Sequence, residues 1–206
     1  MGRSVTVTGR GRASAAYDEA TLRLAAAARA ANPSDATARA TYAMAQIREA
    51  VVAGGVDASA LTTTNVSLTP VHDPWPTVVA YEASLGLSVA LLDLSRVGSL
   101  LVAAIDAGGD GARIDGITFS HQDAALLERE ARDAAFADAR AKAEQYAGLA
   151  GQALGEVRHV VEGGADGPVA RKGVMAVAAT APVPIDAGEG TVVADVSVTW
   201  ALGPAV

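Results

Sequence analysis

The stretch Asp18-Glu-Ala-Thr-Leu-Arg-Leu-Ala-Ala-Ala-Ala-Arg-Ala-Ala31 decides the fold, because it reads either as a helix or as a strand. Its alanines favour a helix, but only by some tenths of a kcal/mol per residue. Against that stands alternation: Ala20, Leu22, Leu24 and Ala26 share one face of an extended chain, and Thr21, Arg23 and Ala25 share the other. Tertiary pairing overrides so weak a preference, so the stretch is predicted to be a strand. The order along the chain is then strand, strand, helix, strand, strand, helix, strand, helix, strand, strand. Adjacent strands pair antiparallel, which makes the class α+β, a mostly antiparallel sheet with packed helices in a single domain over residues 1–206.

Working outward, Ser4–Thr8 alternates as a strand, and Gly9-Arg10-Gly11 is expected to bend it. After Pro33, Ser34 or Asp35 is expected to cap a helix with the stripe Ala36, Ala40, Met44, Ile47 and Val51, closed by Gly54-Gly55. Leu61–Val71 and Val78–Leu92 form a hairpin around His72-Asp-Pro-Trp-Pro-Thr77. Asp93 or Ser95 opens a second helix that stops at Gly108-Gly109, and Ile114–Ser120 is a short strand. Asp123–Ala150 is the strongest helix, with ion pairs Glu128/Arg132, Arg129/Asp133, Asp138/Lys142 and Arg140/Glu144 four residues apart. Its alanines at 131, 135, 139, 143 and 147 make a small-residue seam for close approach to a neighbouring element. Val157–Val161 and Thr191–Leu202 complete the strands. The Gly-, Ala- and Pro-rich connection Glu162–Gly190 is read as a mobile or partner-contacting loop.

Composition narrows the function classes. The 48 alanines carry much of the 50% hydrophobic content, leaving roughly a quarter of the chain for larger apolar side chains. No uncharged stretch of large apolar residues approaches the ~20 that a spanning helix needs. A net charge of −7, with 14 Arg and 2 Lys scattered among acids, argues against nucleic acid or anionic membrane surfaces as partners. Without cysteine there is no disulfide, thiol nucleophile or thiolate metal site. Met1-Gly2-Arg3-Ser4 has no apolar signal region, which points to the cytoplasm for the chain as written, or to the periplasm or secretion after removal of a leader.

Chemistry has few places to hide. The histidines His72, His121 and His159 lack the short spacing of a helical metal pair. Ser120-His121-Gln122-Asp123 holds the residue types of a hydrolytic triad, but a triad assembles from distant segments, and a strand end followed by an N-cap Asp explains these four. Gly86-Leu-Ser88-Val-Ala90 misses the final glycine of a nucleophile elbow, and Gly9-Arg-Gly11-Arg-Ala-Ser14 lacks the third glycine of a dinucleotide loop. Asp106, Asp110 and Asp115 offer at most a weak cation site. No cofactor is expected. Trp75, between two prolines at a loop tip, suits a rigid aromatic anchor, although packing under the hairpin accounts for it equally well. Met175, Val183 and Ile185 in the long connection are the other candidate partner contacts, and Pro182 and Pro184 would hold that part extended.

Several pieces taken in order resemble the SIMPL-domain family, a largely bacterial family of unassigned biochemical function. They are Val5-Thr-Val-Thr-Gly-Arg-Gly11, Asp18-Glu-Ala-Thr-Leu22, Ala50-Val-Val-Ala-Gly-Gly55, Leu61-Thr-Thr-Thr-Asn65 with Leu68-Thr-Pro70, and Tyr81-Glu-Ala-Ser84. Asp93-Leu94 with Val97-Gly98, Ile114-Asp-Gly-Ile-Thr-Phe119, and Ala139-Arg-Ala-Lys-Ala143 through Leu154-Gly155 follow. The resemblance implies a homo-oligomer, frequently exported to the periplasm or cell surface, and supplies no catalytic residue set. The expectation is a non-enzymatic, self-associating module of the bacterial envelope or stress response. The alternative is a hydrolase or small-ligand binder with a cleft lined by His72, His121 or His159.

Overall fold

Glu19–Ala30 is a strand, as the alternation of Leu22 and Leu24 demands, and both leucines are fully buried. The computed structural model describes residues 2–163 and 185–205. In chain order the elements are β1 (Ser4–Ala16), β2 (Glu19–Ala30), α1 (Pro33–Ala53), β3 (Leu61–His72), β4 (Val78–Leu91) and α2 (Val97–Gly108). They continue with β5 (Ala112–Ser120), α3 (Ala124–Leu149), β6 (Gln152–Glu162) and β7 (Glu189–Ala205). Every neighbouring strand pair is antiparallel, so the class is α+β, with three helices on two antiparallel sheets. The chain forms two compact units. One comprises residues 2–16, 121–163 and 188–205, and the other residues 17–120 and 185–187. The central part of the Glu162–Gly190 connection, with Met175 and Val183, lies outside the described residues.

The first unit is the three-stranded sheet β1-β7-β6 with α3 laid along it. The predicted alanine seam is its interface: Ala131, Ala135, Ala139 and Ala143 are fully buried and pack with Val7, Val198 and Trp200. The expected bend at Gly9-Arg10-Gly11 is absent, and β1 runs through it unbroken from Ser4 to Ala16. The glycines serve approach instead of turning. A Cβ on Gly9 would fall on the Ala135 carbonyl oxygen and 2.5 Å from the Ala139 amide nitrogen, and one on Gly11 would strike the backbone of Ala131 and Ala135. Strand and helix backbones therefore touch directly, which only glycine facing alanine permits.

Polar contacts fix the same approach at its rim. The Asp138 carboxylate accepts from Lys142 Nζ at 2.6 Å and from the Arg10 backbone N–H at 2.8 Å, while Lys142 also donates to the Thr8 carbonyl at 3.0 Å. The Lys142 hydrogen bond, then the Arg10 N–H, holds the Asp138 carboxyl below its ordinary value of 3.8. Glu128/Arg132 and Arg140/Glu144 also pair as expected, whereas Arg129 and Asp133 form no ion pair among the described residues. Arg132 reaches beyond its helix to Glu162 at 2.7 Å, tying α3 to β6.

The second unit is a split β-α-β-β-α-β arrangement with sheet order β3-β4-β2-β5. Leu22, Leu24, Leu87 and Val89 from the two central strands meet Met44, Ile47 and Val51 of α1 and Val97, Leu100 and Leu101 of α2. The first helix starts earlier than Ser34 or Asp35. Asn32 is its N-cap, extended at φ −134°, with its side-chain oxygen accepting from the Asp35 N–H at 2.9 Å. Pro33 fits the first helical position because the N–H it lacks would have had no partner there. Asp93 likewise caps a short 3-10 turn, Leu94–Arg96, that leads into α2.

Candidate functional site

The β3–β4 hairpin exposes several large apolar side chains. β3 is the edge of its sheet and pairs only with β4. Its sequence, Leu61-Thr-Thr-Thr-Asn-Val-Ser-Leu-Thr-Pro-Val-His72, contains no charged residue. Folded proteins usually blunt such an edge with Lys, Glu or a short strand, because its free N–H and C=O groups otherwise template pairing with another chain. Pro70 and register shifts between Thr63 and Asn65 and between Val71 and His72 are the interruptions here. Helix α1 packs on α2, β2 and β4 and barely touches β3, and several apolar residues of the hairpin stay in water. Val66 is 71% exposed, and Leu68, Val78 and Val79 are each about half exposed.

At the tip, the Asp73 N–H donates to the Thr77 carbonyl at 3.0 Å and the Thr77 N–H to the Pro74 carbonyl at 2.8 Å, closing a tight loop. Trp75 projects from it, 78% exposed, with the His72 ring 4.4 Å from its own and tilted by 48°. Trp75 is therefore not packed under the hairpin. An aromatic held this way loses little side-chain entropy on burial by a partner, and its apolar area has a free-energy value of roughly 25 cal/mol per Å² once covered. Ile185, by contrast, packs half-buried against the helix-and-sheet core of its own unit.

The residues weighed for chemistry are otherwise engaged or scattered. Ser120 donates to the Glu19 carboxylate at 2.9 Å, and Asp123 caps α3 by accepting from the Leu126 N–H at 3.2 Å. His72 belongs to the second unit, and His121 and His159 to the first. Among the described residues no three His, Asp or Glu side chains gather to hold a metal ion, so Asp106, Asp110 and Asp115 do not make the cation site considered above. Gly86 lies mid-strand in β4, facing Thr64 at the register shift.

Two cavities stand out, and neither is lined by a histidine. In the first unit, about 250 Å³ lies among Phe136, Arg140, Glu144, Leu154, Gly155, Val157 and Trp200. In the second, about 440 Å³ forms a groove lined by Arg29, Arg39 and Arg113 together with Glu82, Asp110 and small residues. Sequence reasoning missed this groove, since its three arginines come from β2, α1 and β5. It also missed the charge-free edge, whose signal was the lack of any Asp, Glu, Lys or Arg between Leu61 and His72.

The model of the SIMPL family, described as a protein of unknown function (DUF541), matches residues 5–200. The chain belongs to the SIMPL family. This SIMPL protein is 28% identical over 214 aligned residues to the 26 kDa periplasmic immunogenic protein of Brucella melitensis biotype 1, covering 95% of this chain and 83% of that one. The protein of the same name in Brucella abortus strain S19 matches with the same identity and coverage. Among solved structures, a hydantoinase/carbamoylase family amidase from Burkholderia ambifaria aligns with a TM-score of 0.28 and 20% identity, over 60% of the SIMPL chain and 34% of the amidase. A superposition of that quality establishes no shared fold. No helix among the described residues of the SIMPL chain is long and apolar enough to cross a membrane.

Proposed function

We propose that this SIMPL protein is a non-enzymatic, self-associating structural or interaction module of the bacterial envelope. The observation that carries the reading is the β3–β4 hairpin: a 12-residue edge strand without a charge that carries exposed Val66 and Leu68 and leads to a tip with an exposed Trp75. Apolar area of this kind on one edge is what a second copy covers when it adds its own hairpin alongside. The envelope location rests on the Brucella relatives, whose names call them periplasmic. The engagement of Ser120 and Asp123 in structural hydrogen bonds, and the histidine-free lining of both cavities, support an interaction role over hydrolysis. The test is the molar mass by light scattering coupled to size exclusion. The intact chain is expected to exceed its monomer mass of 20.6 kDa. Val66→Lys combined with Trp75→Ala is expected to return it to the monomer. A monomeric intact chain, or an oligomer indifferent to both substitutions, would refute the proposal.

A further inference from the structure

β2 is longer than the strand beside it. Its pairing with β5 runs from Glu19 to Ala26 and stops where β5 begins at Ala112, yet β2 continues to Ala30, paired on its other side with β4 through Ala30 and Tyr81. Ala27–Ala30 therefore have no strand partner on the side that β5 covers further along, although Gly111 comes close to the Ala27 carbonyl. The 440 Å³ groove lies along this edge, lined by small residues of β2 and α1 and by Arg29, Arg39 and Arg113, with the acidic residues Glu82 and Asp110 also in its wall. Alanine and glycine leave the strand backbone open to a second backbone.

The charges around the slot are of unequal availability. Arg29 is already paired with Glu82 across the β2–β4 register. Arg113 is anchored through one terminal nitrogen, which donates to the Asp110 carbonyl at 2.8 Å and the Ala112 carbonyl at 2.7 Å, leaving the rest of its donor fork free for an oxyanion. Arg39, exposed on α1, makes no ion pair or side-chain hydrogen bond among the described residues. Two guanidiniums with uncommitted N–H groups thus flank a free strand edge on a chain whose net charge is −7. Guanidinium forks match carboxylates in a bidentate geometry, and an edge strand binds extended backbone while selecting alternate side chains.

We infer that this groove binds an extended acidic peptide segment of another protein, added as a strand beside Ala27–Ala30 with its carboxylates on Arg39 and Arg113. This site is distinct from the β3 edge, and its test is independent of self-association.

The experiment is fluorescence anisotropy with a labelled peptide of alternating Val and Glu, against the same peptide with Lys for Glu, on the intact chain. Arg39→Glu changes an exposed position, and Arg129→Glu makes the same charge change on α3, at a residue that is not part of the groove's lining. The expected result is saturable binding of the Glu peptide only. Arg39→Glu should weaken it about tenfold, removing one favourable pair and adding a repulsive one, and Arg129→Glu should leave it unchanged. N-methylation of alternate peptide amides should abolish binding in one of its two registers, and the complex should protect backbone amides within Ala27–Ala30 from hydrogen exchange. Several outcomes would overturn the inference: no binding of the Glu peptide, equal losses with Arg39→Glu and Arg129→Glu, equal binding of the Lys peptide, or full competition by free glutamate.

Discussion

Substituting Gly9 by alanine adds one methyl group to a strand and tests whether α3 touches β1 backbone to backbone. The added Cβ would lie 2.5 Å from the Ala139 amide nitrogen and 2.7 Å from the Ala139 Cβ, on top of the Ala135 carbonyl oxygen. None of these is the end of a flexible side chain, so relief requires the helix to move off the sheet, opening the seam of fully buried alanines. Overpacking of a well-filled core costs about 1–3 kcal/mol, and a clash against backbone belongs near 3. With a urea dependence of about 1–3 kcal/mol per M, the midpoint should fall by roughly 1–3 M. Trp200 is buried in the same cluster and reports this unit, provided that Trp75 is first replaced by Phe. Gly148→Ala is the control. It lies in α3, the helix that Gly9 faces, with nothing within 4 Å of an added Cβ, and should raise stability by about 0.5–1 kcal/mol. Opposite signs for the two glycines are the expectation. An unchanged midpoint for Gly9→Ala, or equal shifts for both, would refute a close strand–helix approach.

Three further outcomes follow from the same geometry. Ala139→Leu, at a fully buried seam position, should destabilise by about 1–3 kcal/mol, measured as a shift in the urea midpoint. Asp123→Ala removes the side chain that accepts from the Leu126 N–H and should cost about 1 kcal/mol, again read by urea denaturation. Asp138 has a lowered folded-state pKa, so the stability it adds is present above its ordinary value of 3.8 and is lost as pH falls through the folded value. Asp138→Asn should therefore be less stable than the parent near pH 7, and the difference should shrink as pH drops below about 4.

Much of this architecture is legible in the sequence because burial imposes periodicity. Leu22 and Leu24 mark β2 as a strand despite its alanines, and Ala131 through Ala147 at four-residue steps mark the buried stripe of α3. The readings that differ are those settled by distant residues. Glycine in a strand signals either a bend or a close neighbour, and Gly9 is resolved only by Ala135 and Ala139, more than a hundred residues later. Asn32 caps α1 in place of Ser34 because Pro33 fits the first turn as well as the position before it. The arginine groove escapes a linear reading altogether, since it exists because β5 begins four residues short of the end of β2. The sequence marks Trp75 as an aromatic between two prolines, and its exposure is visible only in the folded hairpin.

The most direct test of self-association through the hairpin is acrylamide quenching of tryptophan fluorescence as a function of protein concentration. Trp200 is 3% exposed and shielded at every concentration, so the quenchable signal belongs to Trp75, which is 78% exposed in the isolated chain. If the hairpin is the contact between copies, the quenching constant should fall as concentration rises from micromolar towards millimolar and Trp75 becomes covered. A quenching constant that stays flat across that range would contradict the account.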